Sequence, residues 1–298
     1  AEAQGLHVLG AIQKPLTVQA LEDLLARTPD VPVAPATEHV LAPEGDLANA
    51  LLRGELRLFY QPKVHMRTRQ FVAVEALVRW QHPTFGLIGP DAFLGAASDP
   101  TTSLLLTEHV LRTAAADWTA LCERTGRDLT ISVNVPAEVL TVPEMVERVR
   151  RIVDAAGLPC DMLTMEVTED RLSLDAAAAL ETLTRLRVMG FGLSIDDFGT
   201  GYSSLSYLQK LPVSRVKVDQ SFVHAITDHL QGTLPLIRAI LDLAHGLGLT
   251  VVAEGVEQRS QMDFLRAHGC DEFQGYLLAR PMGAGDLAQL LADTGGRL

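Results

Sequence analysis

Leu163-Thr164-Met165-Glu166-Val167-Thr168 alternates apolar and polar side chains, putting Leu163, Met165 and Val167 on one face of a strand and Thr164, Glu166 and Thr168 on the other. The pattern recurs in 129–135, where Thr130, Ser132 and Asn134 oppose Leu129, Ile131 and Val133. It recurs again in 72–80, where Glu75, Leu77 and Arg79 oppose Val74, Ala76, Val78 and Trp80. The apolar faces suit packing against helices. The polar faces then point inward, and burying unpaired carboxylates there costs several kcal/mol unless something compensates them.

Working outward, strands are expected near 56–63, 72–79, 129–135, 162–168, 191–196, 214–218, 249–253 and 272–276, with helices around 101–124, 143–156, 174–189, 232–247 and 258–267. Short β-rich runs alternating with helical stretches are the mark of repeated βα units. Eight strands in about 250 residues is the count of an α/β, TIM-like (β/α)8 barrel. An open doubly wound sheet is the competing architecture, and the inward polar faces favour the barrel. The barrel domain is expected over 46–298. Residues 28–45, with Pro29, Pro32, Pro35 and Pro43, read as an extended linker.

Composition narrows the function classes. The chain has 298 residues, 47% hydrophobic and 21% charged, which is a globular composition. No apolar run approaches the ~20 residues of a membrane span. The start shows no basic segment followed by an apolar stretch, so a retained signal peptide is not expected. Cys122, Cys160 and Cys270 are scattered and odd in number, which fits reduced thiols in a cytoplasmic protein. The nine histidines form no HExxH, and His224 and His229 stand five apart, off one helical face, which disfavours zinc hydrolase chemistry. A net charge of −12 argues against gripping duplex nucleic acid. It does not exclude an anionic substrate, provided metal ions reconcile it with protein carboxylates.

Asn134, Glu166, Asp196-Asp197, Lys217, Glu254 and Gln274 all fall at strand C-terminal ends, the rim where barrel enzymes place their chemistry. A lone strand-end carboxylate is commonly a helix cap or a solvated rim group. Six strand ends converging on one rim are not explained by caps. Glu75, Asn134, Glu166, Asp196, Asp197 and Glu254 form an oxygen-only set, suited to Mg²⁺ or Mn²⁺ rather than zinc or copper. Five carboxylates exceed what one ion neutralises, so two ions are expected, a standard device for phosphoester hydrolysis.

Glu75-Ala76-Leu77-Val78-Arg79-Trp80 resembles the motif that names the EAL domain family, the bacterial cyclic di-GMP phosphodiesterases. The resemblance runs from about 46 to 292 and takes in Tyr60-Gln61-Pro62, His82-Pro83, Asn134, Glu166-Val167-Thr168-Glu169, the loop Asp196-Asp197-Phe198-Gly199-Thr200-Gly201-Tyr202-Ser203-Ser204-Leu205, Lys217-Val218-Asp219, Ala253-Glu254-Gly255-Val256-Glu257 and Gln274-Gly275-Tyr276. It implies that Glu75, Asn134, Glu166 and Asp196 hold a first metal, and that Asp196 bridges to a second supported by Asp197 and Glu254. It implies catalytic roles for Lys217, Glu254, Asp197 and Glu75, with Lys217 holding the attacking water. Gln61, Glu75, Leu77, Arg79, Asn134, Asp219 and Gln274 would contact cyclic di-GMP, and one cut would yield linear 5′-pGpG. Glu169 is expected beside the metal cluster, and Glu257 is expected to fix the loop that begins at Asp196. Family members pair through a face near that loop, which implies a homodimer.

Upstream, the stretch Gly10-Ala11-Ile12-Gln13-Lys14-Pro15 and the helical spacing of Leu21, Leu24 and Leu25 resemble the last strand and helix of a response-regulator receiver. Residues 1–27 are expected to be a remnant of one, without its phosphoacceptor. A sensor kinase would then act only on a longer chain.

Three other readings fit the sequence less well. Gly199-Thr200-Gly201 imitates a dinucleotide fingerprint but lacks the third glycine and follows two aspartates, which would repel a pyrophosphate. A catalytically silent EAL domain that senses cyclic di-GMP or binds a protein would have lost metal or lysine positions, whereas here all are intact. Another metal-dependent barrel, of aldolase or enolase type, shares the rim but not the order of motifs.

Overall fold

A computed structural model of the chain describes residues 46–94, 100–168, 176–199, 208–227 and 233–298. The expected receiver remnant and linker, 1–45, lie outside the described residues, as does Glu169.

Nine strands are present among the described residues: β1 (Leu56–His65), β2 (Phe71–His82), β3 (Gly86–Ile88), β4 (Thr130–Asn134), β5 (Leu163–Thr168), β6 (Gly192–Phe198), β7 (Arg215–Val218), β8 (Thr250–Ala253) and β9 (Glu272–Phe273). β1 pairs with both β2 and β9, which closes eight of them into the expected barrel, while β3 extends β2 outside the ring. Pairings from β2 through β4 round to β9 are parallel, but β1 runs antiparallel to both neighbours. The reason is the short link 66–70, held by His65 N–H to Gln70 O at 2.9 Å. A parallel crossover needs a dozen residues or more. The barrel therefore opens with a hairpin instead of a βα unit.

The helices Pro100–Thr125, Met145–Ala156, Ala176–Val188, Thr233–Gly246 and Arg259–Ala267 lie within two residues of their expected bounds. Pro100–Thr125 buries Leu106, Val110, Ala114, Trp118 and Leu121 along one face. Its Trp118 Nε1 donates to Leu129 O at 2.7 Å, tying the helix to the chain entering β4. Inside the ring, Ser132, Thr164, Glu166, Ser194 and Lys217 are all buried, so the polar faces do point to the barrel axis.

β9 is shorter than the strand expected over 272–276. Gly275 adopts φ +155°, where a Cβ would lie 2.2 Å from Val256 O. Only glycine fits there, and the turn ends the strand with Gln274 at its lip.

Candidate active site

Lys217 is the centre of the site. Its Nζ, on the inward face of β7, lies 2.7 Å from Glu166 Oε2, 2.7 Å from Glu254 Oε1, 3.0 Å from Asp196 Oδ1 and 3.3 Å from Glu75 Oε2. An ammonium has three N–H groups, so four carboxylates cannot all be satisfied by it. Neutral donors supply part of the rest. Asn134 Nδ2 donates to Glu75 Oε1 at 2.9 Å, and Gln274 Nε2 donates to Glu75 Oε2 at 2.7 Å and to Glu254 Oε1 at 2.9 Å. Gln274, expected against substrate, thus ties two carboxylates together.

The pairing register explains the convergence. Asn134 stands opposite Glu166, Thr168 opposite Asp196, and Gln61 opposite Glu75, so inward residues of neighbouring strands reach similar heights. Asp196 and Asp197 are adjacent, and on a regular strand they would point to opposite faces. The register between β6 and β7 shifts between Ile195 and Phe198, and Asp197 sits at φ +54°. This bulge brings both aspartates to the rim. Oxygens of Asp196, Asp197 and Glu254 lie within 4.8 Å of one another, as do those of Glu75, Glu166 and Asp196.

Electrostatically the cluster is short of positive charge. Burial pushes the Asp196 carboxyl up to about 6, and Glu166 and Glu75 add repulsion against the pull of Lys217. Burial likewise pushes Glu254 up to about 8 despite Lys217. Glu166 goes the other way: burial opposes its charge, but Lys217 and Lys63 hold it well below the ordinary carboxylate range. Lys217 is raised, because its carboxylate neighbours outweigh the cost of burying the ammonium. Lys63 carried no expectation. It is 2% exposed, and its Nζ donates to Glu166 Oε1 at 2.5 Å. The signal was the period of β1, which puts Lys63 on the face of Gln61.

The remaining expected residues scatter around this core. A cleft of about 450 Å³ opens over the cluster, lined by Leu77, Asn134, Glu166, Thr168, Asp196 and Asp197. Gln61 is buried and donates to Ala279 O at 3.2 Å. Arg79 is half-buried, with Nη1 donating to Val78 O at 2.9 Å; burial draws its pKa down while Tyr276, Asp91 and Glu75 hold it up. Asp219 caps the helix Gln220–His224, its Oδ1 accepting from Ser221 N–H at 3.0 Å. Glu257 is exposed, and most of the loop it is expected to fix, 200–207, lies outside the described residues.

The donor set fits a hard divalent cation. Glu166 Oε2 is buried with the Lys217 ammonium 2.7 Å away, and Gln274 Oε1 is buried without a partner. All candidate ligands are oxygens, as Mg²⁺ and Mn²⁺ prefer.

The structure is a closed α/β barrel with a cluster of carboxylates at its rim that could hold a metal ion, and sequence comparison then gives the family. Residues 44–281 match the EAL domain family, and the chain belongs to it. It is 42% identical over 248 residues to cyclic di-GMP phosphodiesterase NbdA of Pseudomonas aeruginosa, covering 83% of this chain and 32% of that protein. It is 41% identical over 249 residues to the bifunctional diguanylate cyclase/cyclic di-GMP phosphodiesterase MucR of the same organism, covering 84% of this chain and 36% of MucR. The chain therefore spans about a third of the length of these relatives. Among solved structures, the PaMucR phosphodiesterase in complex with c-di-GMP superposes with a TM-score of 0.77 at 41% identity, covering 81% of this chain and 98% of that one. The EAL enzyme Bd1971, in a form with cAMP and cyclic-di-GMP bound, superposes at 0.80 with 29% identity, covering 83% and 68%. No helix among the described residues is long and apolar enough to cross a membrane.

Proposed function

We propose that this domain hydrolyses cyclic di-GMP to linear 5′-pGpG in a reaction dependent on Mg²⁺ or Mn²⁺. The observation that carries the reading is the convergence of Glu75, Glu166, Asp196 and Glu254 on Lys217 beneath an open cleft. The phosphodiesterase names of its relatives support the same substrate.

Glu75, Asn134, Glu166 and Asp196 would hold one ion, and Asp196, Asp197 and Glu254 a second. Bound there, divalent cations supply Lewis acidity toward the phosphoryl oxygens and lower the pKa of water. The chain's own groups do the rest. Lys217 is kept cationic by its carboxylate neighbours and is placed to orient a water and offset negative charge developing at phosphorus. Gln274 and Asn134 fix the Glu75 carboxylate from both of its oxygens, so it need not reorganise during the reaction. Arg79, charged and planar, suits a phosphate oxygen at the cleft wall. Leu77 lines the same cleft as an apolar surface.

The test is incubation of the purified chain with cyclic di-GMP and Mg²⁺, Mn²⁺ or EDTA, with products separated by chromatography. Conversion to pGpG with either metal and none in EDTA is expected. Binding of the intact dinucleotide without conversion under any metal condition would make the domain a receptor and overturn the proposal.

A further inference from the structure

Lys63 enters the barrel from the antiparallel strand β1. Its neighbour across the β1–β2 pair is Ala73, whose small side chain leaves room for a long one to cross the interior. The ammonium passes Ser132 on β4, donating to its Oγ at 3.1 Å, and ends on Glu166 Oε1 of β5 at 2.5 Å. Both partners of the ion pair are at most 2% exposed.

Burying an ion pair costs several kcal/mol in desolvation, and apolar side chains of like volume in place of the whole pair would fill this space without that cost. Fold stability alone therefore does not account for a charge here. What the charge does is divide the Glu166 carboxylate. Oε1 is taken by the Lys63 ammonium, while Oε2, 2.7 Å from Lys217 Nζ, is the oxygen on the side of the carboxylate cluster. We propose that Lys63 is a positioning residue: it clamps Glu166 through Oε1, so that Glu166 offers the single oxygen Oε2 to a divalent cation at the rim. The inference rests on the metal reading above. A carboxylate released from this clamp could rotate and face both oxygens elsewhere, and loss of such outer partners of a ligand typically weakens metal binding roughly 10- to 100-fold.

The sign of the effect separates positioning from simple electrostatics. Deleting a nearby positive charge would, by Coulomb attraction alone, tighten binding of a cation. Losing the clamp weakens it.

The experiment is Mn²⁺ titration of the purified chain, followed by electron paramagnetic resonance without nucleotide, in the wild type and in Lys63→Met. Wild-type binding tests the metal reading by itself, and its absence would sink that reading whatever Lys63 does. With wild-type binding established, Lys63→Met is expected to bind Mn²⁺ about tenfold more weakly per folded molecule. Equal or tighter binding would overturn the positioning role. Circular dichroism reports the folded fraction. Should Lys63→Met not fold, Lys63→Gln is read in the same way: weaker binding supports the clamp and unchanged binding overturns it.

Discussion

Two ionic clusters in this molecule carry opposite imbalances. On the outside of the barrel, Glu108 accepts from Arg112 Nη2 at 2.6 Å and from Arg148 Nη1 at 2.7 Å, one carboxylate between two guanidiniums. Burial works against its charge, but the arginines hold its pKa below the ordinary value. At the rim, four carboxylates share Lys217, with Lys63 beneath one of them, and Asp196 and Glu254 are pushed up. The outer cluster sets two cations against its one carboxylate. The inner one holds more negative charge than its lysines balance, and this excess, on largely buried carboxylates at the floor of a cleft, is what a divalent cation would answer.

The contrast can be broken most sharply at Glu75. Glu75→Ala removes a carboxylate that two neutral donors and a lysine hold in place, and metal-dependent hydrolysis of cyclic di-GMP is expected to fall by roughly 10³-fold. Turnover close to wild type would remove Glu75 from the ligand set. Lys217→Ala is expected to cost roughly 10²-fold in turnover while the dinucleotide still binds, as measured by calorimetry with Ca²⁺ present. If binding is lost and turnover per bound substrate is kept, Lys217 serves the substrate rather than the water.

A pH series probes the same charge excess without mutation. Asp196 and Glu254 hold protons in the folded state that the unfolded chain, with values of 3.8 and 4.5, releases earlier. Their contribution to stability is full below those unfolded values and is lost as pH rises, through about 6 for Asp196 and about 8 for Glu254. Glu166 has the opposite sign, and its contribution is lost only in strong acid. In EDTA the Tm is therefore expected to fall between about pH 5 and about pH 8.5, and Mg²⁺ to restore most of the loss at the upper end. A Tm that holds steady over that range in EDTA would contradict the charge excess.

The smallest effect belongs to the outer cluster. Arg112 is largely exposed, and Arg112→Ala is expected to change stability by less than about 1 kcal/mol, since Arg148 still pairs Glu108. Chemical denaturation measures it, and a loss well beyond that would mean the two clusters differ less than their charges indicate.

The barrel was legible because alternation leaves a period-two trace in 129–135 and 162–168, and inward polar residues had no other place to go. The rim set was legible for the same reason, being strand-end residues of one chemistry. Three features were not. The reversal of β1 depends on the length of one link, which a count of strands does not register. Adjacent Asp196 and Asp197 reach one rim only through a bulge and a left-handed residue. Lys63, read alone after Pro62, is an ordinary charged residue, and only ring closure brings it to Glu166 across two intervening strands. Asp219, expected at the substrate, also caps a short helix through Oδ1, a local role its place just after β7 did not announce.

Mn²⁺ binding to the wild-type chain at several pH values decides whether the excess of carboxylates at the rim makes a divalent-cation site. Saturable binding of one or two ions per chain is expected, tightening as pH rises through the range where Asp196 and Glu254 ionise, and abolished in Glu75→Ala. Absence of saturable binding at every pH, or binding that survives loss of Glu75 unchanged, would contradict a cation site there.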